Sequence, residues 1–523
     1  MEKLKAEFQA TTDYRRRLQI LTLSPFGIDR TAEFFETSKY MVKKSRKLRE
    51  ESGILPEVPQ LSKGKQVSQQ DKRSVIEFYE SDEISRLCPG AKDYVMVRDE
   101  NGVKERKQKR LILGSLKEIY VSYKASKGDE ALGFSTFAAL RPKHCVLPGP
   151  SGTHTVCVCT YHQNAKLMVE ALGVTGLTYH DLMDYAVCSV DDENCMLGKC
   201  RECPGVEGVA SFLEVLEDEC DDDMNIEDAI AYKQWVSTDR CTLKDHIDAR
   251  EVFMEKLSNT IVKLTKHHFV SKSQARSFSD MKRDVCIGEA VVVGDFSENY
   301  SFVVQDAVQG WHWDASQATV HPFVAYFREG ENVVHQSFCF ISDGLKHNAA
   351  MVHCFVHDLI PALKARIPGL KKIHYWSDGC AAQYKNRFNF VNICSHHDDF
   401  EVECDWHFFG TSHGKNSCDG IGGTVKRATA RESLARTHHG QILTAQALYD
   451  FLSEKFVSDI RFLFVSSDRV KEATESLKER FSKAVTVKGT QSYHKFSPVE
   501  ESSLMAFELS SASQSRLVRV RRV

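Results

Sequence analysis

In the second half of this chain, apolar residues fall into short, nearly unbroken runs separated by polar turns. Residues 290–296 open with Ala290-Val-Val-Val-Gly-Asp295. Val320-His-Pro-Phe-Val-Ala-Tyr-Phe327, Val333–Ile341, Lys372-Ile-His-Tyr-Trp-Ser-Asp378 and Val402–Phe409 follow. Runs this short, rich in β-branched and aromatic residues, predict buried strands. Between the third and fourth, Met351, Val352, Phe355, Val356, Leu359, Ile360 and Leu363 recur at helical spacing, and Pro368-Gly369 closes the helix. Residues 381–394 predict a second helix, and a Gly-rich turn leads into a third near 424–434.

The first half has a different rhythm. Residues 13–53 predict three short helices. The second covers Asp29–Phe35; Glu36-Thr37-Ser38 is a turn with a capping hydroxyl; the third runs from Lys39 to a stop at Gly53. A short helix, a tight turn and a basic helix make a helix-turn-helix-like pattern, whose second helix enters the major groove of double-stranded DNA. Ser38, Lys43, Lys44, Arg46, Lys47 and Arg49 are the candidate DNA contacts. The plainer alternative is a solvated basic helix. Residues 54–75 have linker composition, and 76–140 are expected to be helical. There the basic run Lys104–Arg110 reads equally well as a solvated hairpin, and Gly133–Leu140 as a second short DNA-facing helix. Residues 246–283 predict one long helix or a broken pair, and the tail from 441 further helices and a basic end. The expected regions are therefore 1–55, 56–143, 144–245, 246–440 and 441–523.

Composition narrows the class. A chain of 523 residues with 42% hydrophobic and 27% charged content has room for roughly three globular domains. A formal net charge of −3 excludes a polybasic chain, so nucleic-acid contact must come from local patches. No run of about 18 apolar residues predicts a membrane span, and Met1–Phe8 lacks a signal core. The 17 cysteines are expected to be reduced thiols and metal ligands, and the expected compartment is the nucleus. The chain opens directly on helix-forming sequence, as an incomplete gene product would.

Three of the strand-forming runs lead into an acid: Asp295, Asp378 and, in the turn after the fifth run, Asp419. Acids placed so can converge at one sheet edge and hold two divalent ions about 3.5–4 Å apart, which clamp the attacking and leaving oxygens of a phosphodiester. Each Asp also suits a turn or helix cap. Glu432 and Glu298 compete with Asp419 as third acid; Asp405, inside the fifth strand, suits the role less.

Three strands, a helix, a strand, a helix, a strand and a helix is the element order of an RNase H-like α/β domain with a mixed sheet. In that fold the first and fourth strands are central neighbours, so Asp295 and Asp378 meet across 378 − 295 = 83 residues. Residues 290–430 resemble transposases of the Asp-Asp-Asp/Glu class through Gly294-Asp295-Phe296 with Glu298-Asn299-Tyr300, Ser377-Asp378-Gly379 with Gln383-Tyr384-Lys385-Asn386, and His413-Gly414-Lys415 with Asp419-Gly420 and Lys426. The chain also resembles transposon-derived proteins of animal genomes. The resemblance implies Mg²⁺- or Mn²⁺-dependent DNA strand cleavage and strand transfer, in an oligomer as in many transposases. It implies phosphate contacts for Lys385, Lys415 and Lys426, and orienting roles for Asn299 and Gln383. The inactive counterpart is a domesticated DNA-binding or chromatin protein. A 3′→5′ exonuclease of this fold resembles an Asp-x-Glu pattern, from which Asp295-Phe-Ser-Glu298 departs.

Between 144 and 203, Cys157-Val-Cys159-Thr-Tyr-His162 places three soft ligands in six residues, and Cys195, Cys200 and Cys203 three more in nine. Tight turns carrying Cys and His are the usual means of building tetrahedral zinc sites. The expected structural zinc ligands are Cys157, Cys159, His162, Cys188, Cys195, Cys200 and Cys203. The simplest site joins Cys159 and His162 to Cys200 and Cys203, with His154 available to a second. Buried thiols are the alternative.

Overall fold

The computed structural model describes residues 1–56, 67–81, 84–87, 94–98, 104–112, 116–147, 159–174, 176–219, 229–237, 241–305, 316–436, 440–457 and 459–522. They form two compact units, Met1–Lys72 and Arg73–Val523. Among the described residues, no helix is long and apolar enough to cross a membrane.

The first unit holds α1 (Glu2–Ala10), α2 (Tyr14–Thr22), α3 (Ile28–Phe34) and α4 (Lys39–Ser52) around Phe8, Ile20, Leu21, Ala32, Phe35 and Val42. Ser38 caps α4 by accepting the Met41 amide at 3.2 Å, and Gly53, at φ 84°, ends it. These are the three helices and the two boundaries that the polar pattern of 13–53 predicts.

The division between the units falls within α5 (Gln69–Glu80); the second unit continues with β1 (Ser85–Leu87), β2 (Tyr94–Arg98), β3 (Lys104–Gln108), β4 (Arg110–Ile112), α6 (Leu116–Lys127), α7 (Phe134–Ala139) and β5 (Cys145–Val146). The helical expectation for 76–140 fails at β1 to β4, and β2 and β3 form an antiparallel hairpin, the alternative reading of the basic run Lys104–Arg110. Val95 and Val97 favour extended backbone, and the Arg106 guanidinium lies 3.8 Å from the Tyr94 ring centroid.

Next come α8 (Thr160–Ala171), α9 (Tyr179–Ala186), α10 (Glu193–Met196), α11 (Gly205–Glu219) and a hairpin of β6 (Ala229–Ser237) and β7 (Cys241–Ala249) that the sequence did not announce. They surround the front half of α12 (Arg250–Arg283), a single helix of 34 residues, about 50 Å long at 1.5 Å per residue. Phe253, Leu257, Ile261 and Leu264 of α12 pack with Met168, Leu182 and Leu213. Its far end packs Phe278 against Val291, Val293, Trp376 and Phe409 of the large sheet. One rod therefore serves two cores.

The large sheet is built from β8 (Glu289–Gly294), β9 (Tyr300–Ser301), β10 (Gln317–Glu329), β11 (Asn332–Ser342), then α13 (Ala349–Arg366), β12 (Lys372–Ser377), α14 (Arg387–Cys394), α15 (His396–Phe400), β13 (Glu403–Phe408), α16 (Ser417–Ala435), α17 (Ala445–Lys455), β14 (Ile460–Phe464), α18 (Ser467–Ser476), α19 (Lys478–Ser482), β15 (Lys495–Glu500), β16 (Ser503–Phe507) and β17 (Arg516–Arg519). Its order is β14-β11-β10-β8-β12-β13-β15-β16-β17, with β9 paired to β10. β8 runs antiparallel to β10 and parallel to β12, and β12 parallel to β13, so this is a large mixed sheet in an α/β unit. Helices cover both faces. Ala290 and Val292 point towards Phe355 and Leu359 of α13, whereas Val291 and Val293 face Phe278 of α12. Burial on both faces is why these strands read as continuous apolar runs.

Three elements differ from expectation. The helix expected over 381–394 begins only at Arg387, because the Asn386 side chain accepts the amides of Phe388 and Asn389 and so caps it there. The helix expected near 424 begins at Ser417, capped by Asn416, which places Asp419 in its first turn. The tail is not a helical appendage. It adds β14 beside β11 and three strands beyond β13, with Phe496, Leu504, Ala506 and Val518 reaching the main core.

Candidate metal sites

β8 and β12 are paired in parallel with Lys372 opposite Glu289 and Trp376 opposite Val293. The offset, 372 − 289 = 83, is the same as 378 − 295. Asp295 and Asp378 therefore leave adjacent strands at the same level, where neighbouring strands are about 4.8 Å apart. Asp419 arrives from the N-terminus of α16, which presses onto the same strand end. A side chain at Gly422 would collide with the Ser297 hydroxyl, and the Cys418 thiol donates to the Val293 carbonyl at 3.4 Å.

The electrostatics report the convergence. The Asp295 carboxyl is pushed up to about 8, first by burial and then by the negative charges of Asp378 and Asp419. Burial raises Asp378 too, against the Cys380 amide that donates to its Oδ1 at 3.1 Å. Asp295 and Asp378 are half-buried and Asp419 is exposed, so the cluster opens to solvent at a sheet edge. Asp419 is also a helix cap: its Oδ2 accepts the Asn416 amide at 2.8 Å, leaving Oδ1 for another partner. The competing third acids are engaged elsewhere. Glu432 pairs with Arg436 at 3.1 Å and lies 13 residues along α16, about 20 Å away by helix rise. Glu298 stands beside Lys426, whose amine it steadies against burial.

The expected helpers divide. Lys415 lies in the turn before α16 and Lys426 on it, both half-buried. Lys385 is a correction: it is buried, its ammonium 3.4 Å from the Gln491 carbonyl and 5.1 Å from the Phe408 ring, and burial brings it down to about 8. The turn that carries it folds back onto Cys380, whose carbonyl accepts the Lys385 amide at 3.1 Å. Asn299 is a bracket, accepting from His347 at 2.8 Å and Thr319 at 3.1 Å. Gln383 is half-buried in the turn after Asp378.

The soft ligands form two groups, partitioned differently from the expectation. The sulfurs of Cys188, Cys195, Cys200 and Cys203 lie within 4.8 Å of one another. Asp192 caps α10 and takes the Cys195 amide at 2.8 Å; the Cys188 amide donates to the Cys203 sulfur at 3.5 Å. The Cys200 thiol is lowered, first by the Glu202 amide and then by Cys203. This four-cysteine group can hold a metal ion such as zinc. Cys159 and His162 do not join Cys200 and Cys203. They meet His267 of α12 and His413 of the turn before Asp419, again with ligand atoms within 4.8 Å. Sequence reasoning missed His267, though it stands in the pair His267-His268, and read His413 only as part of the acid-bearing turn. Cys157 and His154 lie outside the described residues. All described cysteines are free thiols.

A third cluster, His374, Asp405 and His407, already has its cation: the Lys372 ammonium is 2.9 Å from Asp405. Burial alone would raise this carboxyl, but hydrogen bonds from His374, Ser497 and Lys372 outweigh it and hold it low.

In the helical unit, the candidate DNA contacts also separate. Lys43, Lys44 and Lys47 are exposed on α4. Arg46 and Arg49 turn inward, donating to the carbonyls of Phe26 and Ser24 and tying the loop before α3 to α4. The Ser38 hydroxyl is the α4 cap.

Three family models match the chain, each a domain of unknown function: DUF8699 over residues 66–149, DUF8700 over 160–265 and DUF8701 over 274–510. α12 spans the boundary between the second and third. No curated protein matches, and no solved structure matches.

Proposed function

We propose that the chain is a transposase-like protein, with an RNase H-like core that cleaves and joins DNA strands at Asp295, Asp378 and Asp419. The observation that carries this reading is the shared level of Asp295 and Asp378 on paired central strands, with Asp419 close enough to raise the Asp295 carboxyl. The strand order β11-β10-β8-β12-β13 and its directions support the RNase H-like assignment.

The donor set suits hard divalent ions: crowded carboxylates, one of them held protonated near neutral pH by burial and by its two acidic neighbours. Bound Mg²⁺ or Mn²⁺ would supply an activated water or 3′-hydroxyl and stabilise the departing oxygen. Asp295 and Asp378, fixed by β8 and β12, would hold the ions; Asp419 would add its free oxygen. Lys415 and Lys426 would draw phosphates to the edge. Lys43, Lys44 and Lys47 on α4, after the tight turn from α3, support a helix-turn-helix-like DNA contact in the first unit. The four-cysteine group would be a structural zinc site. Double-stranded DNA as partner, self-association and a nuclear site of action belong to the same proposal.

A second reading, an inactive domesticated DNA-binding or chromatin protein, draws on the capping role of Asp419, which gives the acid a purely structural use. Incubation of the protein with plasmid DNA and Mg²⁺ or Mn²⁺ separates the two. Nicking that Asp378→Ala reduces about a thousandfold, with DNA binding retained, is the expected result. Nicking unchanged in both Asp295→Ala and Asp378→Ala would remove the enzymatic reading.

A further inference from the structure

We propose that Cys159, His162, His267 and His413 hold a second zinc ion, and that this ion fixes the turn that carries Asp419. Its effect on cleavage rests on the strand-cleavage reading; the metal chemistry does not.

The four ligands come from three distant segments: the start of α8, the middle of α12 and the turn after β13. His267 Nε2 lies 3.0 Å from the Cys159 sulfur and 3.2 Å from His413 Nε2. Zinc–nitrogen bonds of about 2.0–2.1 Å in a tetrahedron separate two ligand nitrogens by about 3.3 Å. Without an ion this arrangement is frustrated. His267 Nε2 is either a donor or an acceptor, and it faces two partners with its one hydrogen or one lone pair. His162 adds an independent sign. Its Nε2 lies 3.0 Å from His268 Nδ1, while its Nδ1 is buried with no hydrogen-bond partner. Zinc at Nδ1 leaves the Nε2–H to donate to His268, the usual outer-shell arrangement for a ligating imidazole. One thiolate and three imidazoles make a donor set for zinc rather than for Mg²⁺.

His413 then connects to the acids through three short steps. Gly414 follows it, and a side chain there would come within 3.2 Å of the Asp378 Cβ. The Gly414 carbonyl accepts the Asn416 side-chain amide at 2.7 Å, and the Asn416 backbone amide donates to Asp419 at 2.8 Å. On the opposite side the turn is pressed against α12: a side chain at Gly410 would meet the Ser271 backbone at 3.0 Å, and Gln274 donates to the Phe408 carbonyl at 2.8 Å. Ser412 holds a positive φ of 62°, a conformation that a serine keeps only where its surroundings impose it. An ion shared by α8, α12 and His413 supplies that constraint. His413 is thus a positioning residue for Asp419, while Cys159, His162 and His267 anchor it to the cysteine-rich region.

The test is zinc content of the full-length protein, with hydrogen exchange over residues 410–419. Wild type is expected to carry two zinc ions per chain. His413→Ala should carry one, the ion of the four-cysteine group, and should exchange faster at 410–419 with its global fold intact by circular dichroism. His413→Cys, a soft ligand, should restore both the ion and the protection, which separates metal loss from a folding defect. In the nicking assay His413→Ala is expected to lose at least about tenfold in rate at unchanged DNA binding, as a misplaced acid would. Two zinc ions retained in His413→Ala, or protection at 410–419 unaltered by loss of the second ion, would overturn the inference. Absence of nicking by wild type would count against the strand-cleavage reading, and the zinc and exchange results would still decide this one.

Discussion

The four-cysteine group and the acid cluster are assembled in opposite ways. Cys188, Cys195, Cys200 and Cys203 come from one short stretch around α10, and local turns aim their sulfurs at one another. Asp295, Asp378 and Asp419 come from β8, β12 and α16, and nothing short of the folded sheet brings them together. The first arrangement is made by local turns, which a metal ion such as zinc can cross-link. The second is created by the fold, where burial first and then the charges of Asp378 and Asp419 push the Asp295 carboxyl up to about 8. Soft ligands on turns stabilise a fold, whereas hard ligands imposed by a fold are strained against each other and so suited to chemistry. The Cys159–His413 group lies between these extremes, with soft ligands drawn from distant elements.

That contrast can be broken most forcefully at the soft site. Cys200→Ser is expected to remove one zinc and to lower Tm by about 5–10 °C, because metal binding and local folding are a single event there. An unchanged Tm after loss of that zinc would erase the distinction. The acid site should behave in the reverse sense. Asp295 keeps its proton in the folded chain up to about pH 8 and loses it near the ordinary value of 3.8 once unfolded. Its contribution to stability is therefore greatest below pH 3.8 and is lost as pH rises towards 8. In EDTA, Asp295→Asn is expected to raise Tm at pH 8 by about 3 °C, with little effect near pH 4. A lower Tm at pH 8 would show that the carboxylate is stabilising and not strained.

The sequence made the five core strands legible because they are buried on both faces and carry few polar breaks. α4 was legible because Ser38 and Gly53 mark its ends. The tail strands were not: Phe496 stands between Lys495 and Ser497, and Leu504-Met505-Ala506-Phe507 is an unbroken apolar run too short to tell a strand from a helix. The β2–β3 hairpin was half legible: the basic run Lys104–Arg110 allowed a solvated hairpin as readily as a helix, because charge says nothing about backbone. Within the candidate sites, Asp295 and Asp378 followed from element order, and the four cysteines from local spacing. Their partition did not, because spacing along a turn cannot show that His162 faces α12. Arg46 and Arg49 were placed outward on the strength of their charge, yet the loop carbonyls of Phe26 and Ser24 draw them in. His413 belongs to the acid-bearing turn by sequence, and its role as a soft ligand is visible only once the fold brings it to His267.

The central claim is that Asp295 and Asp378 together form a binding site for divalent ions. Titration of Mn²⁺ into EDTA-stripped, zinc-reloaded protein, followed by calorimetry, addresses it directly. Saturable binding in the wild type that disappears in both Asp295→Asn and Asp378→Asn is the result predicted. Equal binding in the wild type and both variants would contradict it.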